Sequence, residues 1–252
     1  MGKEDTRSQK KRLDLILVER QLVPSRSNAK AVIMSGVVYV NGQKTDKAGT
    51  LVDSNAEIVV KDTGKKYVSR GGNKLEAAIE HFDIDVKGLI AVDIGSSTGG
   101  FTDCLLQYGA EKVYALDVGY GQLDWRLRND PRVIVKERIN CRYLKKDDID
   151  DHIDIAVIDV SFISLIKISK PVVDILSDSG RIIALIKPQF EVGKGEVGKG
   201  GIVTDTAKHE KVVNKIKEEL LTCGCHVIGV IPSPITGADG NREFLVYALK
   251  KC

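Results

Sequence analysis

Hydrophobic and polar positions change rhythm once along this chain. From Arg12 the apolar positions Leu13, Ile16 and Leu17 recur at helical spacing, which predicts a helix that must end before Pro24. A second short helix is predicted from Ser25, whose hydroxyl suits an N-cap; Ala29, Val32 and Ile33 form its apolar face and Gly36 closes it. The run VVYVNG then reads as a strand entering an Asn41-Gly42 turn, and EIVVK as a second strand. The prediction is a small α+β unit of two helices and a small sheet over residues 1–61. The polar, glycine-bearing stretch 62–72 is expected to link that unit to the rest of the chain.

From Asn73 the rhythm becomes that of near-continuous apolar strands alternating with helices. LIAVDIG, KVYALDV, RVIVKE, IDIAVIDVSF, RIIALIKPQF, HVIGVIP and EFLVYALKK are the strand candidates, and residues 204–224 the longest helical stretch between them. Runs of this kind are buried on both faces, so residues 73–252 are expected to form an α/β, Rossmann-like domain with helices on both sides of a mainly parallel sheet. No long helix separates the last two strands, which points to antiparallel pairing at the sheet's edge.

Composition narrows the class. With 42% hydrophobic and 29% charged residues the chain is that of a soluble globular protein, and no apolar run approaches the roughly 18 residues of a membrane span. The beginning MGKEDTRSQKKR has no apolar stretch behind it, so a cytoplasmic location without membrane contact is expected. Five cysteines without a CxxC suggest neither a disulfide framework nor a thiolate zinc site, and His81, His152, His209 and His226 stand at no mutual ligand spacing; no metal is expected. The net charge of +3 is unevenly spread. Residues 1–70 hold 14 Lys/Arg against 8 Asp/Glu and the remainder 24 against 27, the balance of a polyanion-facing module joined to a near-neutral one.

DIGSSTGGFT at 93–102 places Asp93 at the end of a strand and glycines directly behind it, a turn that brings backbone close to a ligand. Nicotinamide dinucleotide, nucleoside triphosphate and S-adenosylmethionine are all ligands of such turns. A dinucleotide fingerprint needs G-x-G-x-x-G, whereas Gly95 is followed by Ser96, Ser97 and Thr98 before Gly99, Gly100 and Phe101. The missing middle glycine is the one that admits a pyrophosphate, so a ligand without one, S-adenosylmethionine, fits better. Asp117, at the tip of the next strand, stands where a carboxylate accepts ribose hydroxyls of any adenosine ligand, and Asn140 where an adenine contact can form. The second glycine cluster, VGKGEVGKGG at 192–201, falls short of a phosphate loop because Gly200 stands where a hydroxyl is needed. It is expected to be a loop beside the site that touches RNA through Lys194 and Lys199. Four polar residues stand where this architecture converges on its ligand: Lys74 opens a helix, Asp159 and Lys187 end strands, and Glu243 begins the last one.

Two resemblances narrow the reading further. RLD, SR and the GxVxVNG pattern resemble the S4-type RNA-binding domain, which implies that Lys11, Arg12, Arg26 and Lys30, with Arg20, face RNA phosphates. SRGGNKL, DIGSSTGGFTD, VIDVSFISL, IKPQFE and GNREFL resemble the motifs of the TlyA family, S4-linked ribosomal RNA methyltransferases with an FtsJ-like catalytic domain, often labelled haemolysin A. This resemblance runs from Lys11 to the last strand. It implies an FtsJ-type methyltransferase sheet, S-adenosylmethionine as cofactor, ribosomal RNA or a ribosomal subunit as partner, and a cytidine ribose 2'-hydroxyl as acceptor. The tetrad for that reaction falls on Lys74, Asp159, Lys187 and Glu243, and the cofactor turn on Gly95 to Phe101, with Asp159 also toward the cofactor. FtsJ turns commonly carry Pro and Trp where this chain has Thr98 and Phe101, and an acid where it has Asn140.

The residues also weigh against neighbouring chemistries. Amine methylation usually goes with an Asp/Asn-Pro-Pro-aromatic turn, where this chain has DVSF, and pyrimidine carbon methylation needs a cysteine near that turn, where none lies. Two other readings compete: an RNA-binding assembly factor without turnover, and a membrane-damaging toxin, which would need an insertable segment that the sequence does not offer.

Overall fold

The computed structural model describes residues 9–23, 25–61, 66–193, 195–237 and 240–251. The chain divides into two compact units, Met1–Lys65 and Lys66–Cys252.

In the first unit strand β1 (Lys10–Arg12) leads into helix α1 (Leu13–Glu19), followed by α2 (Arg26–Met34), β2 (Val38–Val40), β3 (Gln43–Lys44), β4 (Leu51–Asp53) and β5 (Ile58–Val60). Helix α2 starts where Ser25 accepts a hydrogen bond from the Asn28 backbone N–H and stops before Gly36, whose φ of 72° reverses the chain. The two helices bury Leu13, Ile16, Leu17, Ala29 and Ile33 against Val38 of β2. Strand β2 lies between β3 and β5, and β1 pairs with β4, all antiparallel. Strands β1, β3 and β4 have two or three residues each, too few to show an alternation in the sequence.

The second unit is a seven-stranded mixed sheet covered on both faces. Its elements run α3 (Gly71–His81), β6 (Ile90–Ile94), α4 (Gly100–Gln107), β7 (Lys112–Asp117), α5 (Trp125–Arg128), β8 (Val133–Glu137), β9 (Ile153–Ile158), α6 (Ile166–Ile175), β10 (Leu176–Ile186), α7 (Pro188–Glu191), α8 (Thr206–Thr222), β11 (Cys225–Pro232) and β12 (Phe244–Lys250). Of the stretch expected to link the units, Tyr67 is buried in this unit's core and Gly71 already begins α3. The sheet order is β11-β12-β10-β9-β6-β7-β8. Side chains alternate along each strand: Val92 and Ile94 point into the layer with α6 and α8, while Ala91 beside them meets the layer with α3 and α4. Both faces of a strand are therefore apolar, which is why the sequence reads as continuous hydrophobic runs. Strand β12 is antiparallel to both its neighbours and inserts between β10 and β11, so the edge falls on β11.

Chain direction across the sheet reverses at β6, which is flanked by β9 on one side and β7 on the other. Loops leaving two such adjacent strands diverge to opposite faces and leave a crevice at their carboxyl ends. Gly95 follows β6 and Asp159 follows β9, so both stand at that crevice.

Candidate active site

A cavity of about 610 Å³ opens at this crevice, within the size range of small-molecule sites. One wall is the turn after β6: Gly95, Ser96, Ser97, Thr98, Gly100 and Phe101. The other is made by Lys74, Asp159, Lys187 and Glu243, from α3 and the ends of β9, β10 and β12. Four residues far apart in sequence thus face one volume.

They pair one to one. Lys74 Nζ donates to Glu243 Oε2 at 2.6 Å, and both residues are buried. Lys187 Nζ lies 2.6 Å from Asp159 Oδ1 and hydrogen-bonds Ser161 Oγ at 2.9 Å; the carboxylate contact is an ion pair whose angle is not that of a hydrogen bond. Each amine is paired with its own acid.

The turn combines one obligatory glycine with one buried acid. Gly95 has φ of 83°, and a Cβ there would stand 2.6 Å from the Asp159 backbone oxygen, so only glycine lets the two loops meet. Asp93 is fully buried. Its Oδ2 accepts from the backbone N–H and hydroxyl of Thr102 at 2.9 and 2.7 Å, while Oδ1 has no partner among the described residues. Burial, with the carboxylates of Asp159 and Asp117 adding to it, pushes the Asp93 carboxyl up to about 7, against the hydrogen bonds from Thr102. A buried, unsatisfied acid beside further carboxylates is a place where a positive ligand relieves a cost.

Asp93, Gly99, Asp117 and Asn140 lie outside the cavity lining. Asp117 accepts from Ser97 N at 2.8 Å and Gly119 N at 2.6 Å, which ties the end of β7 to the glycine turn, and exposed Asn140 accepts from Arg142 N. Gly99 and Gly100 pack against protein: a Cβ on Gly99 would strike Leu127, and one on Gly100 would strike Ser69 Oγ at 2.2 Å. Part of the glycine signal in this motif is therefore helix packing.

The motifs VIDVSFISL, IKPQFE and GNREFL hold further residues of the site whose contacts the sequence does not show. Ser161 reaches Lys187, and Phe162, 90% exposed, stands 5.2 Å from Phe190 at the cavity's mouth. Buried Glu191 accepts from Ser164 Oγ at 2.6 Å and Leu165 N at 2.7 Å, so the segment after Lys187 is strapped to the loop after Asp159; burial raises its pKa. Buried Asn241 donates to Gly201 O and accepts from Val203 N, stitching the glycine-rich loop to the turn that ends in Glu243. Lys199 is exposed on that loop; Lys194 lies outside the described residues.

In the first unit Arg12 and Arg26 both bond the buried Asp14, Lys11 bonds Glu19 at 2.9 Å, and Arg20 donates to the carbonyl oxygens of Ser54 and Ala56. Lys30 is exposed, with no ion pair among the described residues.

A doubly wound sheet whose switch-point turn has Ser97 where the dinucleotide fingerprint needs its middle glycine is the arrangement of a Rossmann-type methyltransferase. The FtsJ-like methyltransferase family model matches residues 67–250, and the S4 domain model residues 11–58. The chain belongs to the FtsJ-like methyltransferase family and is an S-adenosylmethionine-dependent enzyme. It is 45% identical to the 16S/23S rRNA (cytidine-2'-O)-methyltransferase TlyA of Mycobacterium tuberculosis over 94% of this chain and 88% of that one. It is also 45% identical to Hemolysin A of Brachyspira hyodysenteriae over 94% of this chain and 98% of the relative. A solved, hemolysin-named chain from Streptococcus thermophilus superimposes with a TM-score of 0.73 at 44% identity, covering 96% of this chain and 89% of that one. Among the described residues no helix is long and apolar enough to cross a membrane.

Proposed function

We propose that this enzyme methylates the ribose 2'-hydroxyl of a cytidine in ribosomal RNA, in the cytoplasm, with its first unit supplying RNA affinity. The observation that carries the reading is the pair of lysine–carboxylate contacts, each 2.6 Å, on one wall of the cavity whose other wall is the glycine turn. Bound S-adenosylmethionine supplies an electrophilic methyl group. Gly95, Ser96, Ser97, Thr98, Gly100 and Phe101 would hold that cofactor, with Asp93 beneath the turn supplying negative charge and Asp117 anchoring the turn through Ser97 N.

The remaining work falls to the tetrad. A ribose hydroxyl is a weak nucleophile whose proton must leave as the new bond forms. Lys187 and Asp159 hold that oxygen: the ammonium stabilises negative charge growing on it, and the carboxylate accepts the proton. Lys74 and Glu243, on the same wall, would position the hydroxyl for transfer, and positioning of this kind gives a large part of the gain. Among the described residues the cavity lining holds no cysteine, which favours oxygen over pyrimidine carbon as acceptor.

Unmodified ribosomal RNA incubated with labelled cofactor should gain label at a nucleotide that resists alkaline cleavage. Label on a base rejects the proposal. An RNA-binding role without turnover predicts no label at all.

A further inference from the structure

A chain of buried polar contacts in the second unit ends on the tetrad. Asn241 is 1% exposed, and its amide is used on both sides: Oδ1 accepts from Val203 N and Nδ2 donates to Gly201 O, each at 3.0 Å. Its backbone oxygen accepts from Gly237 N at 2.9 Å, which closes the turn before β12. Val203 is held in turn from α8, because its carbonyl oxygen lies 2.8 Å from Nε2 of buried His209. A carbonyl only accepts, so this nitrogen carries the ring's proton. The other face of the contact is apolar: the His209 ring meets the Phe244 ring edge-on, with centroids 5.6 Å apart.

Glu243 stands between these two anchors. Asn241 fixes the chain just before it, and His209 packs against the residue directly after it. Its backbone oxygen accepts from Ser233 N at 2.8 Å. The carboxylate oxygen that does not meet Lys74 is walled by the turn that Asn241 closes, since a Cβ on Gly237 would stand 2.6 Å from Glu243 Oε1. Neither Asn241 nor His209 lines the cavity, so neither is placed to touch an acceptor or a cofactor. Their hydrogen bonds fix direction as well as distance, which apolar packing alone does not, and the segment they fix is the one that presents Glu243 to Lys74.

We propose that Asn241 and His209 are positioning residues for methyl transfer, both acting through Glu243: Asn241 on the turn before it, His209 through Val203 and Phe244. This rests on the reading that Glu243 serves transfer to a ribose hydroxyl.

The test is a kinetic cycle on the full chain, with in vitro transcribed ribosomal RNA and labelled S-adenosylmethionine. Asn241→Ala should lower kcat about tenfold or more, while KM for RNA and the affinity for S-adenosylmethionine measured by calorimetry change little. Added to Glu243→Gln, it should cost little beyond the loss that Glu243→Gln already shows, because residues that act as one unit are not additive. His209→Leu should lower kcat several-fold, and His209→Gln should keep most of it, since a glutamine Nε2 can still donate to Val203 O. Assays run at a temperature where thermal denaturation shows every variant folded; if Asn241→Ala does not fold, the His209 variants in both backgrounds decide alone. Unchanged kcat in folded Asn241→Ala, the same fold-loss with and without Glu243→Gln, or a His209→Gln no better than His209→Leu overturns the proposal. Full kcat in Glu243→Gln alone instead overturns the reading beneath it.

Discussion

Both units set carboxylates against basic side chains, but they balance them differently. Asp14 in the first unit is shared by two exposed arginines, which leaves an outward positive surplus on a fixed scaffold. Glu243 and Asp159 in the second unit each meet one lysine at 2.6 Å, which leaves almost none. Arginine cannot give up its proton in the working range, so the first arrangement keeps its charge. Lysine and carboxylate can exchange protons with a bound hydroxyl, so the second can take part in a reaction. The same ion-pair chemistry leaves an outward charge or almost none according to stoichiometry.

The largest expected effect tests the reactive pair. Lys187→Ala should lower kcat for RNA methylation by about 10²- to 10⁴-fold while cofactor affinity measured by calorimetry changes little. A parallel loss of cofactor binding would make Lys187 a cofactor residue and erase the contrast between the units.

The buried pair comes next. Lys74→Met or Glu243→Gln alone strands a buried partner and should cost about 3 to 5 kcal/mol of stability in thermal denaturation. The double variant Lys74→Met/Glu243→Leu should recover most of that stability without recovering activity. If it also recovers activity, the pair serves the fold alone.

Glu191 and Asp93 divide positioning from charge within the site. Glu191→Ala should reduce kcat by about tenfold, with Glu191→Gln close to the unaltered enzyme because an amide can still accept from Leu165 N and bond Ser164. For Asp93 the folded pKa, about 7, stands above its ordinary 3.8. Its contribution to stability is thus complete below about 3.8 and lost as pH rises through 7, and a cationic ligand reverses that loss. Cofactor affinity should therefore climb several-fold between about pH 6 and 8 in the unaltered enzyme relative to Asp93→Asn. Equal pH profiles would remove Asp93 from cofactor binding.

The smallest effect lies in the first unit. The Asp14 carboxyl is held below its ordinary 3.8, so its stabilisation is complete above that value and lost as pH falls through its lower folded value. Acid titration followed by circular dichroism should show this loss in the unaltered chain and not in Asp14→Asn.

Sequence alone carried the alternation of apolar runs and helices, hence the doubly covered sheet, because burial on both faces leaves a one-dimensional trace. It also carried the helix ends at Ser25 and Gly36 and the glycine turn, where local backbone geometry restricts the residue. The tetrad was legible through a family resemblance and through its positions at strand ends. Only the tertiary structure showed which lysine meets which acid, that Gly100 packs on Ser69, that Glu191 straps two loops, and that Arg12 and Arg26 share Asp14. Those facts depend on contacts between segments up to 169 residues apart, Lys74 with Glu243 being the longest of the site. No local periodicity encodes such a contact, because it exists only once the sheet has ordered its strands.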